Sequence, residues 1–368
     1  MRISLTKSGR SFPVAAGQPL LEAGIAAGLN LPHSCRSGNC GACRARLTQG
    51  EIEYPNGPPL GLTAAEVEGG YILLCQARAL TDLQIEPIEI RRADEPMLKR
   101  LPCRIERAVL VAPDVMQVFL RLPAVGTLRF LPGQYIDVLL PGGRRRSFSL
   151  ASPPHDAKLL ELHVRHVPGG EFTDELFTRQ AQGRLLEIEG PLGQFVYPPS
   201  FAGVAADARG ENARPLLLIG GGTGLAPLQC ILRDVIETDR GSEPALAHDL
   251  VLYWGVRSEQ DLYADAQLRE LAVRTARLRY VPVLSEPGEA WTGRRGWVHA
   301  AALADLGAQL AGQLGDYDIY ASGPPEMVAA VRRDFLGQGA DPARLWCDSF
   351  DYAGDSPARH RSSAVSKS

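Results

Sequence analysis

The chain of 368 residues has little excess charge of either sign: 39 Lys and Arg stand against 42 Asp and Glu, a formal net charge of −3. The broad cationic field that neutralises phosphates is missing, so nucleic acid is excluded as a partner. No apolar segment follows residues 1–7, which alternate as a strand does, so no signal peptide is expected. The longest uncharged stretch, 215–232, is interrupted by Gly220, Gly221, Gly222 and Gly224 and reads as strand, loop and helix, not as a membrane span. No internal repeat of 20–50 residues is present. An odd number of cysteines, seven, spread at 35, 40, 43, 75, 103, 230 and 347, does not make a secreted disulfide framework. A reducing, cytoplasmic location is the expectation.

What is there is ordinary globular composition, 45% hydrophobic and 22% charged, which excludes general disorder. The length suggests about two to three domains. Glycine (38) and proline (28) are abundant without low-complexity runs, so many tight turns are expected. Residues 1–90 alternate short apolar runs with turns and hold four of the cysteines; the charged stretch within 91–102 reads as a linker. Over 103–199, strand-like runs at 105–111, 115–122, 135–140 and 159–165 are separated by Pro and Gly clusters, the pattern of an all-β sandwich or barrel. From 214 to 352, strands at 216–219, 250–254, 278–284 and 318–321 alternate with helices at 225–237, 261–274 and 325–336, which means a parallel sheet. Residues 353–368 are expected to form a disordered tail.

Cys35, Cys40 and Cys43, followed by the distant Cys75, have the C-x4-C-x2-C spacing of a plant-type [2Fe-2S] ligand set. Two irons need four thiolates from a loop that folds round them, and Gly38 and Gly41 let backbone N–H groups approach the sulfurs. A structural zinc site also takes four thiolates, but usually as two C-x2-C pairs. Cys103, Cys230 and Cys347 read as plain buried cysteines.

Two further regions carry candidate ligand chemistry. Arg146, Ser147, Phe148 and Ser149 combine a guanidinium fork suited to pyrophosphate, a ring that can stack on a flat cofactor, and hydroxyls that can reach a ring nitrogen. Gly170 and Thr173 open a helix predicted to end near 177, whose free N–H groups can bind phosphate; a basic turn and an ordinary N-cap would look the same. His163, Val164 and Arg165, closing the strand before that glycine pair, are counted with the cofactor-binding candidates. Further on, Gly221, Gly222, Thr223, Gly224 and Pro227 lie between an apolar strand and a helix, the arrangement in which pyrophosphate meets helix N–H groups. The G-x-G-x-x-G spacing fails and no acidic residue ends the next strand, which finishes in Arg257, so a standard Rossmann dehydrogenase is disfavoured. A second loop, Ser322, Gly323, Pro324, Pro325 and Met327, should close a neighbouring parallel strand and face the same crevice. Two tight turns with packing roles are the alternative.

Together these motifs resemble a ferredoxin-NADP reductase-type flavoprotein with an N-terminal plant-type ferredoxin domain, over about residues 1–352. The stretches 253–257 and 291–298 and the ending Asp348, Ser349 and Phe350 look most similar to CDP-6-deoxy-delta-3,4-glucoseen reductases; oxygenase reductase components belong to the same group and share these motifs, so the motifs do not separate the two. The resemblance implies a multidomain α+β and α/β chain: a β-grasp ferredoxin domain, an antiparallel β-barrel for FAD, and a parallel-sheet NAD(P)-binding domain. It places Arg146 at the FAD pyrophosphate, Phe148 against the isoalloxazine, Ser149 toward its N5, and Gly170 and Thr173 at phosphates. It assigns the loops at 221–227 and 323–327 to the pyridine nucleotide, sets Ser322 where many relatives carry Cys near the nicotinamide, and makes Phe350 a shield over the flavin, although a core role suits Phe350 as well. Ser149, Ser322 and Phe350 are thus the catalytic candidates.

The implied activity is electron transfer from NAD(P)H through FAD to the cluster and on to a protein acceptor docking near residues 35–43, a sugar dehydrase or an oxygenase component. Plant-type clusters sit near roughly −400 mV, low enough to reduce many acceptors. NADH is expected over NADPH by resemblance, with Arg257 available to a 2′-phosphate. The rivals are a redox sensor or carrier and a zinc-stapled binding module.

Overall fold

A computed structural model gives the structure of the protein. It describes all residues except 7–8, 28, 30, 34–35, 40, 88–97, 125, 157, 178–180, 198–213, 240–248, 310–313 and 351–368. Cys35, Cys40, most of the expected linker and the expected tail therefore lie outside the described residues.

The N-terminal part contains β1 (Arg2–Leu5), β2 (Ser11–Pro13), helix α1 (Leu20–Ala26), β3 (Arg44–Gln49), β4 (Ile52–Glu53), α2 (Ala64–Glu68), β5 (Tyr71–Leu73), β6 (Arg78–Ala79) and β7 (Leu83–Pro87). Five of the strands form a mixed sheet in the order β2-β1-β7-β3-β5, and β4 pairs with β6 apart from it. The strands alternate inward and outward, so Ile3, Leu5, Ala45, Leu83 and Ile85 meet Leu20 and Leu21 of α1 in one core. Cys43 and Cys75 belong to the same buried cluster.

The middle part is antiparallel: β8 (Lys99–Ala112), β9 (Val115–Arg121), β10 (Tyr135–Leu139), β11 (Arg145–Ser149), β12 (Leu159–Arg165), the short α3 (Glu171–Leu176) and β13 (Leu185–Leu192). The sheet order is β11-β10-β13-β8-β9-β12, and a bridge between Leu150 and Leu162 joins its two ends, closing a barrel. Inward residues such as Ile105, Val118, Ile136, Leu160, Leu162 and Ile188 fill it.

The C-terminal part alternates strand and helix: β14 (Leu216–Gly221), α4 (Leu225–Asp239), β15 (Leu250–Val256), α5 (Asp265–Arg274), β16 (Leu278–Leu284), β17 (Arg294–Arg295), α6 (Val298–Gln309), β18 (Asp318–Gly323), α7 (Pro325–Gly337) and β19 (Leu345–Ser349). All neighbours in the order β17-β16-β15-β14-β18-β19 pair in parallel. Its strands are apolar on both faces, as a covered parallel sheet requires: Leu216 and Leu218 pack toward α4 and α5, while Leu217 and Ile219 pack toward α6 and α7. Helix α4 serves two cores at once, since Cys230 packs into the barrel while Leu228, Ile231 and Leu232 pack under the parallel sheet.

The expected helix at 261–274 is shorter than its periodicity suggested. Asp261 Oδ2 accepts from Ser258 N–H and Oγ–H at 3.0 and 2.9 Å, closing a single 3-10 turn, and the backbone leaves the helical region at Leu262 before α5 begins. Helix α6 and strands β13 and β19 were not anticipated.

Candidate cofactor site

All three parts converge on one cavity of about 350 Å³. From the barrel, β11 presents Arg146, Ser147, Phe148 and Ser149, β12 presents His163 and Arg165, and the turn into α3 presents Gly170 and Thr173. From the parallel sheet come Thr223, Ala226, Ser349 and Phe350; from the cysteine loop come Arg36 and Ser37. Val164, placed among the candidates from sequence, turns its side chain into the barrel core, because successive residues of a strand face opposite sides.

Local chemistry fixes these side chains. Ser147 Oγ donates to the fully buried Asp137 at 2.6 Å, holding the middle of β11 against β10. Thr173 Oγ1 accepts from Val167 N–H at 3.2 Å and donates to Val167 O at 3.0 Å, closing the turn at 167–170 that leads into α3. Phe148 lies 5.5 Å from Phe172, ring centre to ring centre. His163 is sandwiched between two partners: Nε2 lies 3.0 Å from Glu161 Oε1, and Nδ1 lies 3.0 Å from Tyr263 Oη, which belongs to the parallel-sheet part. Glu161 also receives Gln117 and Gln229 at 3.4 Å, and Arg233 at 3.5 Å. Burial alone would raise the Glu161 carboxyl, but the hydrogen bond and charge of His163, the charge of Arg233 and the Gln229 amide outweigh it and hold it below the usual range.

The two glycine loops at the carboxyl end of the parallel sheet lie against each other. A Cβ on Gly221 would stand 2.5 Å from Met327 Sδ and 3.0 Å from Pro324 Cδ; one on Gly224 would overlap the Ser322 carbonyl and approach Gly323 Cα to 2.8 Å. Gly222 has φ +55° and would meet the Arg165 guanidinium at 2.9 Å, so barrel and parallel sheet touch here, and Trp254 Nε1–H donates to its carbonyl at 2.9 Å. Pro325 starts α7, with Pro324 at its N-cap. Arg257, just past the end of β15, is exposed to open water and pairs with Asp114 of the barrel at 3.5 Å.

The residues fit the groups their types suggest. The buried hydroxyls of Ser322 and Ser349 have no hydrogen-bond partner among the described residues, and Ser349 faces the cavity, where a polar cofactor edge would satisfy it. Cys43 and Cys75 are buried together, and the Cys75 N–H points to Cys43 Sγ at 3.4 Å, the N–H to sulfur contact that a thiolate ligand accepts. The other three cysteines are chemically quiet: burial pushes Cys103 and Cys230 up to about 12 and Cys347 up to about 11. Sequence reasoning gave no role to Arg36, Ser37, Tyr135 or Ser349, all of which line the cavity. Ser349 was visible beside Phe350, and Arg36 beside Cys35; what was missing was the fold that carries the cysteine loop to the barrel.

A barrel with an R-x-F-S strand, a parallel sheet with paired glycine loops and a four-cysteine sheet module define an iron–sulfur flavoprotein reductase. Family models agree part by part: a 2Fe-2S iron-sulfur cluster binding domain matches residues 3–80, an oxidoreductase FAD-binding domain 102–197 and an oxidoreductase NAD-binding domain 218–333. The chain belongs to this family of ferredoxin reductase-type electron-transfer enzymes. It is 33% identical to the reductase component 1 of terephthalate 1,2-dioxygenase from a Comamonas species, over 95% of this chain and 97% of the relative. It is 31% identical to the CDP-6-deoxy-L-threo-D-glycero-4-hexulose-3-dehydrase reductase of Yersinia pseudotuberculosis, over 95% and 98%. Among solved structures, an Amycolatopsis cytochrome P450 reductase superposes with a TM-score of 0.69 at 35% identity, over 95% of this chain and 98% of that one. The protein is an NAD(P)H-dependent oxidoreductase that carries FAD and a [2Fe-2S] cluster, and electrons run from NAD(P)H through FAD to the cluster. No helix among the described residues is long and apolar enough to cross a membrane.

Proposed function

We propose that this protein is the reductase partner of a separate enzyme, to which it delivers single electrons from the cluster loop at residues 35–43. The observation that carries the reading is the shared cavity: Arg36 and Ser37 of the cysteine loop, the Arg146–Ser149 strand, and Thr223 with Phe350 line one space. Cys35, Cys40, Cys43 and Cys75 are assigned to the cluster. Arg146 and Thr173 hold the flavin phosphates, Phe148 and Phe350 flank its ring, and Ser149 and Ser349 offer hydroxyls to its polar edge. The loops at 221–227 and 323–327 hold the nucleotide, with Ser322 contributing a hydroxyl near the nicotinamide. The division of labour follows residues 1–90, 103–199 and 214–352. Flavin supplies the conversion between hydride and single-electron chemistry; the chain's residues bind, orient and exclude water.

NADH is the expected coenzyme by resemblance; Arg257, exposed and only loosely paired with Asp114 at 3.5 Å, is the side chain that would meet a 2′-phosphate. The acceptor we infer first is a sugar dehydrase of the hexulose type, following the resemblance over 253–257 and 291–298. An oxygenase component is the second reading, supported by the 33% and 35% identities to reductases of that kind. Several residues of those stretches serve the nucleotide part: Trp254 bonds Gly222 O, and Arg294 binds the buried Asp305. The resemblance thus only orders the two readings, and the acceptor assay decides between them. Anaerobic reduction with NADH, followed by addition of purified dehydrase or oxygenase, separates the readings: the true acceptor reoxidises the cluster at a saturable rate. A flavin that bleaches while the cluster stays oxidised under turnover would refute internal transfer.

A further inference from the structure

The cysteine loop is flanked by two arginines to which no flavin or nucleotide role has been assigned. On one side, Arg332 of α7 crosses from the parallel sheet to Glu66 of α2, with NH2 to Oε2 at 3.3 Å and both side chains more than four-fifths buried. Glu66 is already engaged: it pairs with Arg44 and accepts Thr63 N–H at 2.8 Å. Two guanidinium groups thus share one carboxylate, which leaves a net positive charge beside the loop. A Cβ on Gly41, between Cys40 and Cys43, would lie 3.6 Å from Arg332 NH1. On the other side Arg36, a non-glycine residue at φ +57°, reaches His33 Nε2 at 3.1 Å and the buried Asp137 of the barrel at 4.0 Å. Backbone held in this sparsely populated region is retained where surrounding contacts over-determine it.

We propose that Arg332 and Arg36 are positioning residues that latch the cluster loop between the nucleotide part and the flavin barrel, and that the charge of Arg332 makes the cluster easier to reduce. The inference rests on the assignment of Cys35, Cys40, Cys43 and Cys75 to the cluster. The step concerned is a transfer of one electron from flavin reduced by NAD(P)H to the cluster, with no bond made or broken at the cluster. The added electron makes a four-thiolate cluster more negative, and a fixed cation shielded from water favours that state.

The test uses the full-length holoprotein with Arg332→Gln, Arg332→Lys and Glu66→Gln. Cluster potential is read by EPR-monitored redox titration, and flavin-to-cluster transfer by stopped flow after mixing with NADH. Arg332→Gln lowers the potential and slows transfer about tenfold, a tenfold equilibrium change being 59 mV for one electron, while flavin bleaching by NADH is unchanged. Arg332→Lys restores the potential more fully than the rate. Glu66→Gln also slows transfer but moves the potential upward, opposite to Arg332→Gln, which loss of packing alone would not do. Unchanged potential and rate with a full [2Fe-2S] signal in Arg332→Gln, or equal loss of flavin and cluster reduction, overturns the latch. Wild-type protein without a [2Fe-2S] signal overturns the cluster assignment itself, and that result is read before any variant.

Discussion

Replacing Glu161 with alanine should loosen the barrel from the nucleotide part and destabilise both. Its carboxylate receives His163 at 3.0 Å, Gln117 and Gln229 at 3.4 Å, and Arg233 at 3.5 Å, and His163 in turn meets Tyr263 of the parallel-sheet part at 3.0 Å. The His163 side chain is fully buried, so its N–H gains no water when the acceptor disappears. Arg233 is 30% exposed and stays partly hydrated, so its share is discounted. Removing one partner of a buried ionic network costs about 3–5 kcal/mol, and the discount selects the lower end, about 3 kcal/mol. At about 2–4 °C per kcal/mol for a unit of this size, the melting temperature falls by about 6–12 °C. Glu161→Gln keeps an oxygen for His163 and should lose only about 1 kcal/mol. Calorimetry together with flavin fluorescence, which rises on cofactor release, measures both variants. An alanine variant within about 0.5 kcal/mol of wild type, or a glutamine variant as unstable as alanine, refutes the reasoning.

The same carboxyl sets a pH dependence. Its folded value lies below the usual one of about 4.5, so its contribution is fully present above that pH and is lost as pH falls through the folded value; melting curves from pH 6 to pH 3 should show a shallower acid limb in Glu161→Gln. Gly224→Ala forces a methyl onto the Ser322 carbonyl and should cost about 1–3 kcal/mol, with loss of nucleotide binding seen by NADH titration. Arg257→Ala should reduce catalytic efficiency with NADPH more than with NADH, checked by steady-state comparison of the two.

Much of this architecture is legible in sequence because it rests on local rules. Alternation over 159–165 and 278–284 returns β12 and β16 residue for residue, and the apolar-strand, glycine and helix succession locates the glycine loop between β14 and α4. The C-x4-C-x2-C spacing proposes ligands before any fold is known. Strand order is not legible, since nothing local says that β13 lies between β10 and β8. Neither are long-range polar partners: Arg332 and Glu66 are 266 positions apart, and Tyr253, Arg279 and Arg294 meet on Asp305 from three strands. Charged residues of that kind read as solvated surface until the fold buries them. The failed helix start at 261 has a local cause, the Ser258 and Asp261 cap, which periodicity overrides when read alone.

At Gly221 the volume where a side chain would be is filled by the sulfur of Met327, 106 positions later, with Pro324 beside it. One space is thus owned jointly by two loops. A larger residue at 221 is admissible only with a smaller one at 327, and a shorter residue at 327 opens a void that only 221 can fill. The pair should therefore change together or not at all when the chain diverges, so that the spacing of the two glycine loops is inherited as a single trait.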